Sequence, residues 1–267
     1  MTNSPLRFAT FLAPSMFPVY QGIVDYVGQR LGCPTSLVVG ESFAAFAAGE
    51  IDAGFICGLP YVDLAAQAPP AVVPLVAPVL QGSRYQGRPV YFSDVIVRRD
   101  SPFRSFADLR GASWSYNDPD SHSGYNLTRY ELARRGETRS YFGTVIAAGW
   151  HQESIRWVVE GQVDASAIDS QVLAIALRDD PDLAACLRVI MTFGPSTIQP
   201  VVAAARLPEA LREQMRAALL AMTEDPAARA GLAVGFVERF VPVEDATYDD
   251  IRRMRATAEA AGVLTLR

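Results

Sequence analysis

Asp118-Pro119-Asp120-Ser121-His122-Ser123-Gly124-Tyr125 separates two segments of unlike character in this chain of 267 residues. Before it, Ala112-Ser113-Trp114-Ser115-Tyr116 predicts a short buried strand; after it, the pattern from Asn126 to Arg135 predicts a helix. A polar loop rich in small hydroxyls therefore stands where a strand hands over to a helix. The first turn of a helix carries peptide N–H groups without internal partners, and the macrodipole adds partial positive charge there. The hydroxyls of Ser121 and Ser123 and the backbone of Gly124 suit a cradle around one oxyanion. The same serines equally suit an N-cap that satisfies only the helix. His122, between them, adds a titratable group to either arrangement.

On both sides of this loop the chain alternates. Strand-like runs at 6–12, 35–39, 51–57 and 71–80 are separated by helical patterns at 19–31, 42–48 and from residue 58 onward. A second series places strands at 112–116, 143–148 and 163–168 between helices at 126–135, 152–160 and 170–178. Such alternation predicts parallel α/β sheets covered on both faces. One internal echo supports two similar lobes: Gly49-Glu50-Ile51-Asp52-Ala53-Gly54-Phe55-Ile56 recurs as Gly161-Gln162-Val163-Asp164-Ala165-Ser166-Ala167-Ile168. In both copies glycine stops a helix and an apolar residue enters the sheet.

Ligands of open α/β sheets bind outside the carboxyl ends of the strands. That rule selects residues 14–17, the turn at 58–61 with Pro60, the loop 120–124 with Gly124, residues 149–151 with His151, and Asp169 with Ser170. His151 is expected to cap the helix over 152–160 and to donate toward an anion. Asp169 suits either a helix cap or a ligand contact. Tyr91 falls where one lobe hands over to the other.

Composition narrows the chemistry. A net charge of −5 argues against nucleic acid and anionic membranes as partners. Every one of the 24 basic residues is arginine, which excludes a lysine Schiff base and the P-loop lysine. Two histidines rule out a multi-histidine metal centre, and no metal or other cofactor is expected. Cys33, Cys57 and Cys186, odd in number and in apolar surroundings, predict buried thiols rather than a disulfide framework. There is no nucleophile elbow and no dinucleotide fingerprint. A hydrolase triad can be assembled from Ser121, His151 and Asp169, but any serine-rich chain offers such a set. Residues 1–5 lack the basic and small-residue features of a signal peptide.

Asp100-Ser101-Pro102 with Asp108-Leu109-Arg110-Gly111 resembles a run found across bacterial solute-binding proteins. The loop 118–125, then Gly149-Trp150-His151-Gln152-Glu153-Ser154 and Gly161-Gln162-Val163-Asp164-Ala165 through Ile168-Asp169-Ser170, resemble the phosphate/phosphite/phosphonate-binding branch of those proteins. The resemblance runs from Phe8 to about Met222. It implies a type II periplasmic-binding fold: two lobes, each a mixed and mostly parallel sheet flanked by helices, joined by two hinge strands and closing on a ligand. Lobe 1 is then 1–94 with 196–267, and lobe 2 is 95–195. It also implies a phosphonate group held by Ser121, Ser123, Tyr91 and His151. His122 stands where the family usually has threonine, and Phe43 where it often has tyrosine; Pro195-Ser196-Thr197 supplies no acid for an amine.

The resemblance thus implies a non-enzymatic, monomeric binder of a small phosphorus oxyanion or organophosphonate, serving an ABC permease if exported. A periplasmic location follows from the family, a cytoplasmic one from the absent leader. Two other classes remain open: a cytoplasmic enzyme on the same fold, of the menaquinone-pathway type, and a ligand-sensing domain.

Overall fold

The computed structural model describes residues 5–137 and 140–266; Met1–Ser4, which figured in the leader argument, lie outside them. In chain order the elements are β1 (Leu6–Thr10), α1 (Phe17–Leu31), β2 (Thr35–Val39), α2 (Ala44–Ala47), β3 (Ala53–Phe55), α3 (Gly58–Ala65), β4 (Val72–Leu80) and β5 (Val90–Arg98). Then come β6 (Ser113–Tyr116), a π turn over His122–Asn126, α4 (Leu127–Arg134), β7 (Thr144–Ala147), α5 (His151–Glu160), β8 (Ala165–Asp169), α6 (Ser170–Asp179) and α7 (Leu183–Cys186). The chain closes with β9 (Leu187–Thr197), β10 (Val201–Ala204), α8 (Glu209–Ala221), α9 (Pro226–Val234), β11 (Val237–Pro242) and α10 (Asp249–Ala260).

The chain divides into two compact units, one of residues 1–90 and 197–249, the other of 91–196 and 250–267. The first holds a six-stranded sheet in the order β11-β4-β10-β3-β1-β2. Only β2, β1 and β3 pair in parallel there; β10 lies antiparallel between β3 and β4, and β11 antiparallel on β4. The sheet is mixed because β10 re-enters it from the second unit and separates two strands that otherwise run the same way. The second unit holds a five-stranded sheet, β7-β6-β8-β5-β9, with β6 parallel to β7 and β8 and with β5 antiparallel to β8. Its core is aromatic: Trp114 stacks on Phe142 at 4.4 Å, and Phe106 stacks on Tyr141 at 5.1 Å.

The chain passes between units after Val90, after Ser196 and after Asp249. The last passage corrects the expected division, which kept the C-terminus in lobe 1. The tail is held in the second unit because Val263 and Leu266 join its apolar core. Arg129 Nε also donates to the Val263 carbonyl at 2.8 Å, and Leu266 N–H to the Tyr125 hydroxyl at 3.3 Å.

The internal echo has a common physical content. Gly49 and Gly161 both take left-handed φ, +76° and +72°, which glycine adopts without strain. Asp52 accepts the peptide N–H of Arg7 at the head of β1, and Asp164 accepts that of Ser113 at the head of β6. Each aspartate thus ties the strand that follows it to the first parallel strand of its own sheet.

The cysteines are free, but not buried as expected: Cys33 and Cys57 are half-buried, and Cys186 is exposed where the short α7 ends at the surface. Among the described residues no helix is long and apolar enough to cross a membrane.

The tail makes a testable pair. Val263→Ala empties a fully buried position and should cost roughly 1–3 kcal/mol of unfolding free energy in a denaturant melt. Leu264→Ala, at a position 62% exposed, should change it by less than about 0.5 kcal/mol. Equal costs would place the tail elsewhere.

Candidate functional site

The serine loop begins beyond the carboxyl end of β6. Asp118 turns the chain, accepting the N–H of Asp120 on its side chain at 2.7 Å and that of Ser121 on its carbonyl at 3.0 Å. The backbone then enters the wide turn His122–Asn126, in which Asn126 N–H donates five residues back to the Ser121 carbonyl at 3.0 Å. Helical structure therefore starts four residues earlier than the sequence pattern suggested, and all five residues of this turn are buried.

Ser121 does cap the turn: its Oγ accepts the Gly124 N–H at 3.0 Å. Ser123 does something else. Its Oγ lies 3.0 Å from His151 Nε2 and 3.4 Å from Ser121 Oγ, while its carbonyl accepts the fully buried Ser93 hydroxyl of β5 at 2.8 Å. A Cβ on Gly124 would fall 2.0 Å from Asn117 Oδ1 and 3.2 Å from His151 Cε1. Glycine is what lets the strand end, the loop and α5 converge at this point.

His151 is the first residue of α5, not its cap; Trp150 occupies the cap position and makes no side-chain cap bond. The imidazole is buried, which lowers its pKa to about 3, so it is neutral at physiological pH. Its Nδ1 is buried with no hydrogen-bond partner.

His122 departs furthest from expectation. Its side chain is fully buried, and both ring nitrogens are engaged. Nδ1 accepts from the Asn126 amide at 3.0 Å, and Nε2 lies 2.8 Å from Ser196 Oγ, whose hydroxyl donates to Asp250 Oδ2 at 2.9 Å. With Nδ1 accepting, the proton sits on Nε2 and points at Ser196. Burial lowers this imidazole to about 4, with the Asp250 carboxylate opposing. His122 is thus a neutral interior donor rather than a group presented to an anion.

Of the other expected residues, Tyr91 is buried with its ring centroid 6.2 Å from that of His122. Asp169 caps α6, accepting the N–H groups of Gln171 and Val172 at 2.8 and 3.3 Å. Burial raises its carboxyl to about 7, reinforced by Asp94 and opposed by those two donors. Phe43 and Pro60 belong to the first unit. Phe43 stacks on Phe11 at 4.4 Å, and Pro60 is buried in the first turn of α3 rather than presented at a strand edge.

Sequence reasoning missed Ser93, Asn117, Asn126, Ser196 and Asp250. Asn126 had a signal, since residues four apart share a helix face and it follows His122 at that spacing. Ser196 and Asp250 had none, because they arrive from distant parts of the chain. Among the described residues no group of three or more histidine, cysteine or acidic side chains is placed to hold a metal ion.

The model of the ABC-transporter phosphonate periplasmic substrate-binding protein matches residues 9–248. The chain belongs to that family. It is a substrate-binding protein with the type II periplasmic-binding fold, and its family consists of transport components rather than enzymes. Among solved structures it is similar to a binding protein component of an ABC phosphonate transporter from Pseudomonas aeruginosa: TM-score 0.85, 16% identity, covering 98% of this chain and 89% of that one. PhnD1 of Prochlorococcus marinus, solved in complex with methylphosphonate, matches with TM-score 0.84 and 16% identity over 97% and 99% of the two chains. The aliphatic sulphonate binding protein SsuA of Escherichia coli matches with TM-score 0.64 and 18% identity over 98% and 89%.

The three buried groups His122, His151 and Asp169 give a pH dependence of stability. Both histidines bind protons more weakly folded than unfolded, so each loses stability as pH falls from 6.5 toward about 4 for His122 and about 3 for His151. Asp169 works in the other sense: its contribution is complete below 3.8 and is lost as pH rises through about 7. Near pH 5 the three together take up about one proton on unfolding, and stability falls by about 1.4 kcal/mol per pH unit of acidification. Asp169→Asn keeps a capping oxygen and should steepen this slope to about two protons in denaturant melts between pH 4.5 and 6. An unchanged slope would mean that Asp169 is ionised in the folded protein.

Proposed function

We propose that the ligand is a small phosphorus oxyanion, of the phosphonate, phosphite or phosphate class, and that the loop Ser121–Gly124 is its binding element. The observation that carries this is the pairing of two buried hydroxyls, 3.4 Å apart, at the head of a helical turn beyond a strand's carboxyl end. Hydroxyls and peptide N–H groups at a helix start are the donors that an oxyanion needs. His151 then orients the Ser123 hydroxyl through its Nε2 and is itself neutral, so the anion meets fixed dipoles rather than a second charge.

The family match supports the same class of ligand, and the neighbour from Prochlorococcus marinus was solved with methylphosphonate. Delivery to an ABC permease after export to the periplasm is the corresponding role for this chain.

Titration calorimetry with phosphate, phosphite, methylphosphonate and aminoethylphosphonate tests the assignment. At least one should bind, and Ser123→Ala should weaken it roughly 10- to 100-fold, the loss of one hydrogen bond to a charged group. Silence from all four ligands would overturn the ligand class; binding untouched by Ser123→Ala would move the site off the loop.

A further inference from the structure

We propose that His122 is a positioning residue. It holds the serine loop in shape through a relay to Ser196 and Asp250, two residues that flank passages of the chain between its units. The proposal rests on the functional reading above only for its affinity readout.

The relay is continuous and directional. The Asn126 amide donates to His122 Nδ1 at 3.0 Å, which leaves the ring proton on Nε2. Nε2 faces Ser196 Oγ at 2.8 Å, and the Ser196 hydroxyl donates onward to Asp250 Oδ2 at 2.9 Å. All of the bonds lie within the second unit. Ser196 is the last residue of that unit before the chain leaves it, and Asp250 is the first after the chain returns. Tyr91, the first residue of the earlier entry, packs 6.2 Å from the same ring.

His122 therefore meets the second-unit ends of two passages directly, through Tyr91 and Ser196, and that of the third through the Ser196–Asp250 bond. At its other end it belongs to the turn that carries Ser121 and Ser123. Its place in that turn is fixed from three sides: Ser93 holds the Ser123 carbonyl, Ser121 holds the Gly124 N–H, and the relay holds the ring. Of these ties, the relay alone reaches β9 and α10. A displacement of either chain passage is then felt at the loop, and the placing of the loop's hydroxyls depends on Ser196 and Asp250, which lie outside it.

Substitution separates the two ends of the ring. Glutamine in place of His122 carries an amide nitrogen near the position of Nε2 and keeps the donor to Ser196. Asparagine is too short to reach Ser196, although it can still meet Asn126. Amide hydrogen exchange in the ligand-free protein reads the loop directly at the Gly124 and Asn126 N–H groups. Ser196→Ala and His122→Asn should each speed exchange at both positions about tenfold while β6 amides keep their rates. His122→Gln should stay near the unmodified protein. In a His122→Asn background, Ser196→Ala should add little further, because its effect runs through the ring. Methylphosphonate affinity, measured on the same variants, should fall in the same order. Unchanged loop exchange in Ser196→Ala, or equal behaviour of the glutamine and asparagine variants, would overturn the proposal. If the unmodified protein does not bind methylphosphonate, the affinity series is run with whichever of the four anions binds, and the exchange data still decide the relay.

Discussion

The second unit must bury a polar turn without burying a net charge. His122, Ser123 and Asn126 lie below the surface beside Ser121, and a hydrogen-bonding group taken out of water costs free energy unless it finds a partner. The structure answers most of these groups: Ser93 for a carbonyl, Ser121 for a peptide N–H, Asn126 and Ser196 for the two nitrogens of one imidazole, and His151 for a serine hydroxyl, while Asn126 Oδ1 and His151 Nδ1 stay without a partner. Burial pushes both imidazoles toward the neutral form. The result is a rigid set of dipoles of the kind that suits an anion which must also be let go. Directional but uncharged donors of this kind give selectivity by geometry, and hold an anion less firmly than a salt-bridged arginine would.

Much of this was legible in the sequence. Strand–helix alternation, glycine stops and the Gly-x-x-Asp echo all report local backbone needs, and local needs are written locally. The echo even marked a real equivalence, since Asp52 and Asp164 anchor the heads of β1 and β6 in the same way. The loop 121–124 was found because small hydroxyls at a strand-to-helix handover are uncommon outside caps and anion sites. Ser121 proves to be the former, and Ser123, joined to His151, is the residue we propose for the latter.

What the sequence hid was decided by distance along the chain. Nothing about Asp250, on a polar helix near the C-terminus, announces a partner on β9. The tail was assigned to the wrong unit for the same reason: its anchors are two apolar side chains and a carbonyl met by Arg129, none of which forms a pattern. The antiparallel place of β10 had no local pattern either, because β10 reads as any buried strand and only the path of the chain makes it antiparallel. His122 was misjudged by its neighbours. Between two serines it looked like part of the anion site, yet the wide turn rotates its ring inward, where Asn126 and Ser196 claim both nitrogens.

The central claim is that the serine hydroxyls hold the oxyanion while His122 stands behind them. A crystal structure of the complex with methylphosphonate tests it most directly. The account predicts phosphonate oxygens within hydrogen-bond reach of the Ser121 and Ser123 hydroxyls, with the His122 ring still joined to Asn126 and Ser196. A phosphonate in direct contact with the His122 ring, or bound away from the 121–124 loop, would contradict it.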